Sequence, residues 1–85
     1  MEIEVSKEAA EQFLRIPKPF RRNIQKKIDL LAANGFNLNS IKALAGEHSG
    51  CYRLRSGVYR IIFRVEDDTA KISAIKHRKD AYTGD

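Results

Sequence analysis

Tyr52-Arg53-Leu54-Arg55-Ser56-Gly57-Val58-Tyr59-Arg60 alternates apolar and cationic residues on both sides of a Ser-Gly step. Such alternation marks two antiparallel strands joined by a tight turn, with one apolar face and one arginine-bearing face. A two-residue loop at Ser56-Gly57 predicts Arg55 opposite Val58, Tyr52 opposite Ile61 and Arg53 directly opposite Arg60. Like charges facing each other across strands destabilise a sheet by up to about 1 kcal/mol. No acidic residue lies between Glu47 and Glu66, so the arginines have no local counter-ion in sequence, and an anionic, phosphate-bearing partner accounts for their placement.

Downstream, Tyr59, Ile61, Phe63 and Val65 extend the apolar face, and Asp67-Asp68 supplies a second turn. Three strands are predicted, at roughly 51 to 55, 58 to 66 and 69 to 78. The second turn places Ile72 and Ala74 on the apolar face, Ile75 beside Arg60, and His77 beside Val58 in the cross-strand row of Arg55. Arg64 has Glu66 on its own face and reads as a structural or solubility residue. Upstream, Glu2-Ile3-Glu4-Val5 alternates as a short strand, and Ser6 N-caps a short helix carrying Ala9, Ala10, Phe13 and Leu14 on one stripe. Pro17-Lys18-Pro19 stops that helix. A longer one begins near Pro19, with Phe20, Ile24, Ile28 and Leu31 as its apolar stripe and Asn34-Gly35 as its end. Ile41 to Leu44 forms a short edge segment near Lys42. The predicted fold is α+β: a βαα unit followed by an antiparallel β-meander, with two helices packed on one face of a small twisted sheet.

The 85-residue length predicts one domain, residues 1–85, whose site is an open groove or sheet face rather than an enclosed pocket. A net charge of +5 suits a nucleic-acid or acidic-protein partner. The lone cysteine, Cys51, forms no internal disulfide and reads as a buried reduced thiol, which predicts a cytoplasmic protein. No apolar run is long enough to span a bilayer and no secretory leader is visible, so no membrane partner is expected. Two distant histidines, one cysteine and acids concentrated at a turn offer no metal cluster.

The segments Lys42-Ala43-Leu44-Ala45-Gly46, Gly50 through Phe63, and His77-Arg78-Lys79-Asp80-Ala81-Tyr82 together resemble the RelE/ParE superfamily of toxins from bacterial and archaeal type II toxin-antitoxin systems. Within it the likeness is to the RelE-like ribonuclease branch, and it covers nearly the whole chain. The resemblance implies a toxin that acts as an mRNA interferase: an endoribonuclease that cuts message in the ribosomal decoding site and inhibits translation, without metal or other cofactor. It implies a cognate antitoxin, RelB-like or similar, that wraps the toxin, and a toxin-antitoxin complex that binds its own operator DNA through the antitoxin. It also assigns residues: Arg55, Arg60, His77, Arg78 and Tyr82 to catalysis, and Lys42, Arg53, Lys76 and Lys79 to RNA contacts.

The chemistry fits those residue types. RNA is cut without metal when its 2′-hydroxyl attacks the adjacent phosphate, leaving a 2′,3′-cyclic phosphate and a 5′-hydroxyl. The step needs a base, an acid and cations around the charged transition state. Arg55 and Arg60 suit the last role because a guanidinium stays charged and holds two phosphate oxygens at once. Arg53 would orient the backbone. His77, supported by Arg78, is the residue type suited to act as general acid near neutrality, and Tyr82 to stack on a base or move a proton. One departure stands out: RelE-like enzymes often carry lysines where this chain has Arg53 and Arg55. A permanently charged arginine is a poor base, so Lys42, Glu47, Tyr82 or the ribosome remain open for that role. Two other readings compete: a ParE-like inhibitor of DNA gyrase, and a nucleic-acid-binding module without chemistry.

Overall fold

Ser6 ends the first strand and starts the first helix in the computed structural model, which describes residues 1–80. Its Oγ accepts the Ala9 N–H at 3.0 Å, satisfying one of the donors that a helix start leaves open. The elements in chain order are β1 (Glu2–Val5), α1 (Lys7–Leu14), α2 (Lys18–Asn34), β2 (Ile41–Ala43), β3 (Tyr52–Ser56), β4 (Tyr59–Glu66) and β5 (Thr69–His77), with short 3₁₀ turns at Gly46–His48 and Arg78–Asp80. Pro17 lies between the helices as expected, and Pro19 falls in the first turn of α2. Gly35, with φ of +57°, ends α2 while its N–H returns to the Leu31 carbonyl.

The five strands form one sheet in the order β1-β5-β4-β3-β2. The meander is antiparallel and the segment at Lys42 is an edge strand, both as predicted; its partner is β3. The pairing of β1, on which the sequence is silent, is parallel and against β5, so the sheet is mixed. Both helices contribute to a single core, in which Ala9, Ile16, Ile24, Ile28 and Leu31 pack on Leu54, Ile61, Phe63, Ala70, Ile72 and Ile75. The other face of the sheet carries the cations.

Two registers differ from expectation. The first hairpin turns at Gly57-Val58 rather than Ser56-Gly57: Ser56 pairs with Tyr59, Arg55 with Arg60, Leu54 with Ile61, Arg53 with Ile62 and Tyr52 with Phe63. Gly57, at φ of +59°, takes the first central position of the turn, where a positive φ is required. Ser56 is thereby freed to continue the strand and is buried. The second turn does fall at Asp67-Asp68, both with positive φ, but the ladder between β4 and β5 shifts at Ile62/Phe63, leaving Ser73 unpaired. One extra residue flips everything beyond it to the other face. Ala74 therefore lies opposite Ile62 on the outer face, Ile75 turns into the core, Lys76 lies opposite Arg60 and His77 opposite Tyr59. Phe20, expected in the apolar stripe of α2, is exposed, and Cys51, expected to be buried, is half-exposed.

The strand β1 ends at Val5, opposite Ile72, so β5 runs beyond its partner. Gln12 of α1 compensates: its Oε1 accepts the Ile75 N–H at 2.8 Å. Replacing Gln12 with alanine leaves that amide unpaired next to the core and is expected to cost about 1–3 kcal/mol, read from urea unfolding. An unchanged midpoint would show that water already reaches the amide.

Candidate nucleic-acid interface

The register corrections assemble a site that the uncorrected ladder does not. Arg55, Arg60 and Lys76 fall in one cross-strand row on the outer face. Behind them lies a second row, Lys42, Arg53, Ile62 and Ala74. His77 leaves the row that the sequence assigned it, and Lys76 takes its place.

The side chains differ in how firmly they are held. The Arg60 guanidinium folds back on its own hairpin, with Nη1 donating to the Gly57 carbonyl at 2.9 Å and to the Tyr59 carbonyl at 3.1 Å. Arg53 is fixed at the other end of the strand, where Nη1 donates to the Ser40 carbonyl at 2.7 Å. Neither Arg55 nor Lys76 makes a side-chain hydrogen bond or ion pair with another described residue. An exposed arginine set opposite another and left without an acid is costly to the sheet and ready for an anion. Farther along the face, Arg64 Nε and Lys71 Nζ lie 2.8 and 3.6 Å from Glu66 carboxylate oxygens, so the structural reading of Arg64 holds. Among the described residues of this face, the cations without a side-chain partner, Arg55 and Lys76, lie at the hairpin end of the sheet.

His77 sits at that same end but on the helix-bearing side, its ring edge-on to Tyr59 with centroids 5.6 Å apart. Its Nδ1 accepts the Lys79 backbone N–H at 3.1 Å. An accepting nitrogen carries no proton, so this contact selects the Nε2–H tautomer of the neutral ring. Long-range ¹H–¹⁵N spectra of the neutral form should show the Nε2–H tautomer; the Nδ1–H form would mean that the Lys79 contact does not persist. The Arg78 N–H donates to the Val58 carbonyl at 2.6 Å, which ties the turn after β5 to the hairpin and brings exposed Arg78 and Lys79 beside it. Tyr82 lies outside the described residues. No group of three or more His, Cys, Asp or Glu side chains among the described residues is placed to hold a metal, and no described helix is long and apolar enough to cross a membrane.

Residues 3–82 match the family described as the ParE toxin of the type II toxin-antitoxin system, parDE. The toxin RelE3 of Methanocaldococcus jannaschii is 35% identical over 80 residues, which cover 86% of this chain and 90% of that protein. Among solved structures, the RelB-RelE antitoxin-toxin complex from Methanococcus jannaschii matches at 31% identity with a TM-score of 0.75, covering 89% of this chain and 91% of that one. The archaeal RelE-RelB complex from Pyrococcus horikoshii matches at 26% identity with a TM-score of 0.77, covering 94% and 97%. Fold and sequence thus agree that this chain belongs to the RelE/ParE superfamily and is the toxin of a type II toxin-antitoxin system.

Proposed function

We propose that the protein is a ribosome-dependent endoribonuclease that cleaves message by attack of the RNA's own 2′-hydroxyl and so inhibits translation. The observation that carries this reading is the row of Arg55, Arg60 and Lys76 on one open sheet face, with Arg55 and Lys76 free to receive an anion. In this reading the guanidiniums of Arg55 and Arg60 grip the scissile phosphate, and Lys76 adds charge where the pentacoordinate phosphorus develops it. Arg53, Lys42 and Lys79 hold the flanking backbone. His77, with Arg78 beside it, gives the Nε2 proton of its imidazolium form to the leaving 5′-oxygen, the contact of Nδ1 with the Lys79 N–H being released when the ring is protonated, and Tyr82 is assigned to the same site.

The row contains cations only, so no described residue in it can take the proton from the 2′-hydroxyl. That is the reason for a ribosome requirement: the decoding site supplies the missing proton acceptor or bends the message into line for attack. Cutting of naked RNA is correspondingly slow, and no metal is required.

The partner is a cognate antitoxin, as in the RelB-RelE complexes that the chain resembles. An apolar groove of about 290 Å³ between the helices, lined by Val5, Ala10, Phe13, Leu14, Gln25, Ile28 and Ile75, suits an amphipathic segment of such a partner. Leu14 on its rim is 68% exposed. Through that antitoxin the complex would bind its operator DNA. A cytoplasmic location goes with a ribosomal target.

The test is a translating extract programmed with a defined message, the cut ends being mapped by primer extension. Cuts at fixed positions within codons that need active translation support the proposal; intact message with folded toxin refutes it. The match to a family named for ParE makes a gyrase supercoiling assay the second arm, in which inhibition would identify the alternative activity.

A further inference from the structure

We propose that Phe20, Tyr59 and His77 form a stacking platform for an unpaired RNA base, continuing the arginine row around the end of the sheet. The proposal rests on the reading of the chain as an RNA-cleaving toxin and adds a base subsite to the phosphate site.

Three elements converge on this surface. Phe20 comes from the first turn of α2, Tyr59 from the start of β4 and His77 from the end of β5. The Phe20 and Tyr59 rings are 5.6 Å apart at 54°, and Tyr59 and His77 are 5.6 Å apart at 78°. Each is held in place independently: Tyr59 packs against the core, His77 is pinned by the Lys79 N–H and Phe20 rides on a helix. The cationic row is next door, because Arg60 follows Tyr59 and its Nη1 rests on the Tyr59 carbonyl. A strand whose phosphate sits on Arg55 and Arg60 therefore needs only to pass over the hairpin end for its next base to meet the rings.

Phe36 shows why Phe20 is not simply a lid on the core. The two are similarly exposed, at 48% and 45%. Phe36, however, lies 4.9 Å from Tyr52 and 6.5 Å from the fully buried Phe63, in a segment whose polar residues are Asn34, Asn37 and Asn39. Among the described aromatic rings Phe20 meets only that of Tyr59, and it is surrounded in sequence by Lys18, Arg21 and Arg22. Exposed aromatics interleaved with cations form the surface on which single-stranded bases stack, with little regard to their identity.

The experiment is fluorescence anisotropy with a short 2′-O-methyl RNA, which the toxin cannot cut, alongside the same oligomer carrying a single abasic residue at each position in turn. Phe20→Leu should weaken binding of the intact oligomer about 5- to 20-fold, while Phe20→Tyr and Phe36→Leu bind as wild type. At one abasic position wild type and Phe20→Leu should bind alike. A loss in Phe20→Leu that is matched by Phe36→Leu, or that persists at every abasic position, overturns the platform, as does no loss at all. Arg55→Ala separates the two readings: if it weakens binding and Phe20→Leu does not, only the platform fails. If folded wild type does not bind the RNA at low salt, the platform falls, while the RNA-cleaving role stands or falls with cleavage in the translating extract.

Discussion

Replacing Arg55 with alanine is expected to reduce message cleavage by about 100- to 1,000-fold, the usual cost of deleting one preorganised group that meets developing charge, without destabilising the fold. The two halves of this expectation come from the same geometry. Arg55 is exposed, directly opposite Arg60, and without a described side-chain partner. Removing it therefore breaks no side-chain hydrogen bond or ion pair with a described residue and relieves a like-charge pair, so the melting temperature should stay level or rise slightly. Binding of uncut RNA should fall far less than the rate. Arg55→Lys keeps the charge but loses the two-pronged grip on phosphate, and should fall between alanine and wild type. Full activity in Arg55→Ala would remove this residue from the site. A fall in both activity and melting temperature would instead assign it to the fold.

The largest effect on stability is expected at Phe63. Its ring is fully buried, stacks on Tyr52 at 5.6 Å and sits where the ladder shifts, opposite both Tyr52 and Ile72. Phe63→Ala should cost about 3–5 kcal/mol. A domain of this length has only about 4–13 kcal/mol in total, so urea unfolding should find the variant marginal or unfolded at 25 °C. Phe63→Leu, which keeps most of the volume, should cost clearly less. A loss below about 1 kcal/mol for the alanine variant would mean that the ring is not enclosed as the register requires.

The residues that repeat with a clear period were legible before the structure. Ser6 as a cap, the Pro17-Lys18-Pro19 break, Gly35 as a stop and the alternation through Tyr52 to Val65 fixed two helices and three meander strands, and the arginine face with them. What could not be read depends on single residues. Whether Gly57 takes the first or the second place in its turn decides which arginine faces Arg60, and Ser-Gly and Gly-Val are both compatible with a two-residue loop. The extra residue at Ser73 leaves no mark in the pattern, because Ile72, Ala74 and Ile75 are all small or apolar and fit either face. That one residue turns Lys76 to the cationic face and His77 away from it. The parallel pairing of β1 with β5 joins the two ends of the described chain, and alternation within a strand carries no information about its neighbour. Phe20 fits the spacing of the α2 stripe, yet it stands in the first turn of the helix, against Tyr59 at the start of β4 and outside the core that takes Ile24 and Ile28.

The central claim is that the outer face cleaves message through the RNA's own 2′-hydroxyl. It is tested most directly by placing one 2′-deoxynucleotide at a mapped cut position of a message loaded on ribosomes and following single-turnover cleavage. The account predicts that cutting at that position disappears while neighbouring sites are cut at their normal rates, each leaving a 2′,3′-cyclic phosphate. Undiminished cleavage at the deoxy position would contradict it, since the attacking oxygen would then have to come from water or from the protein.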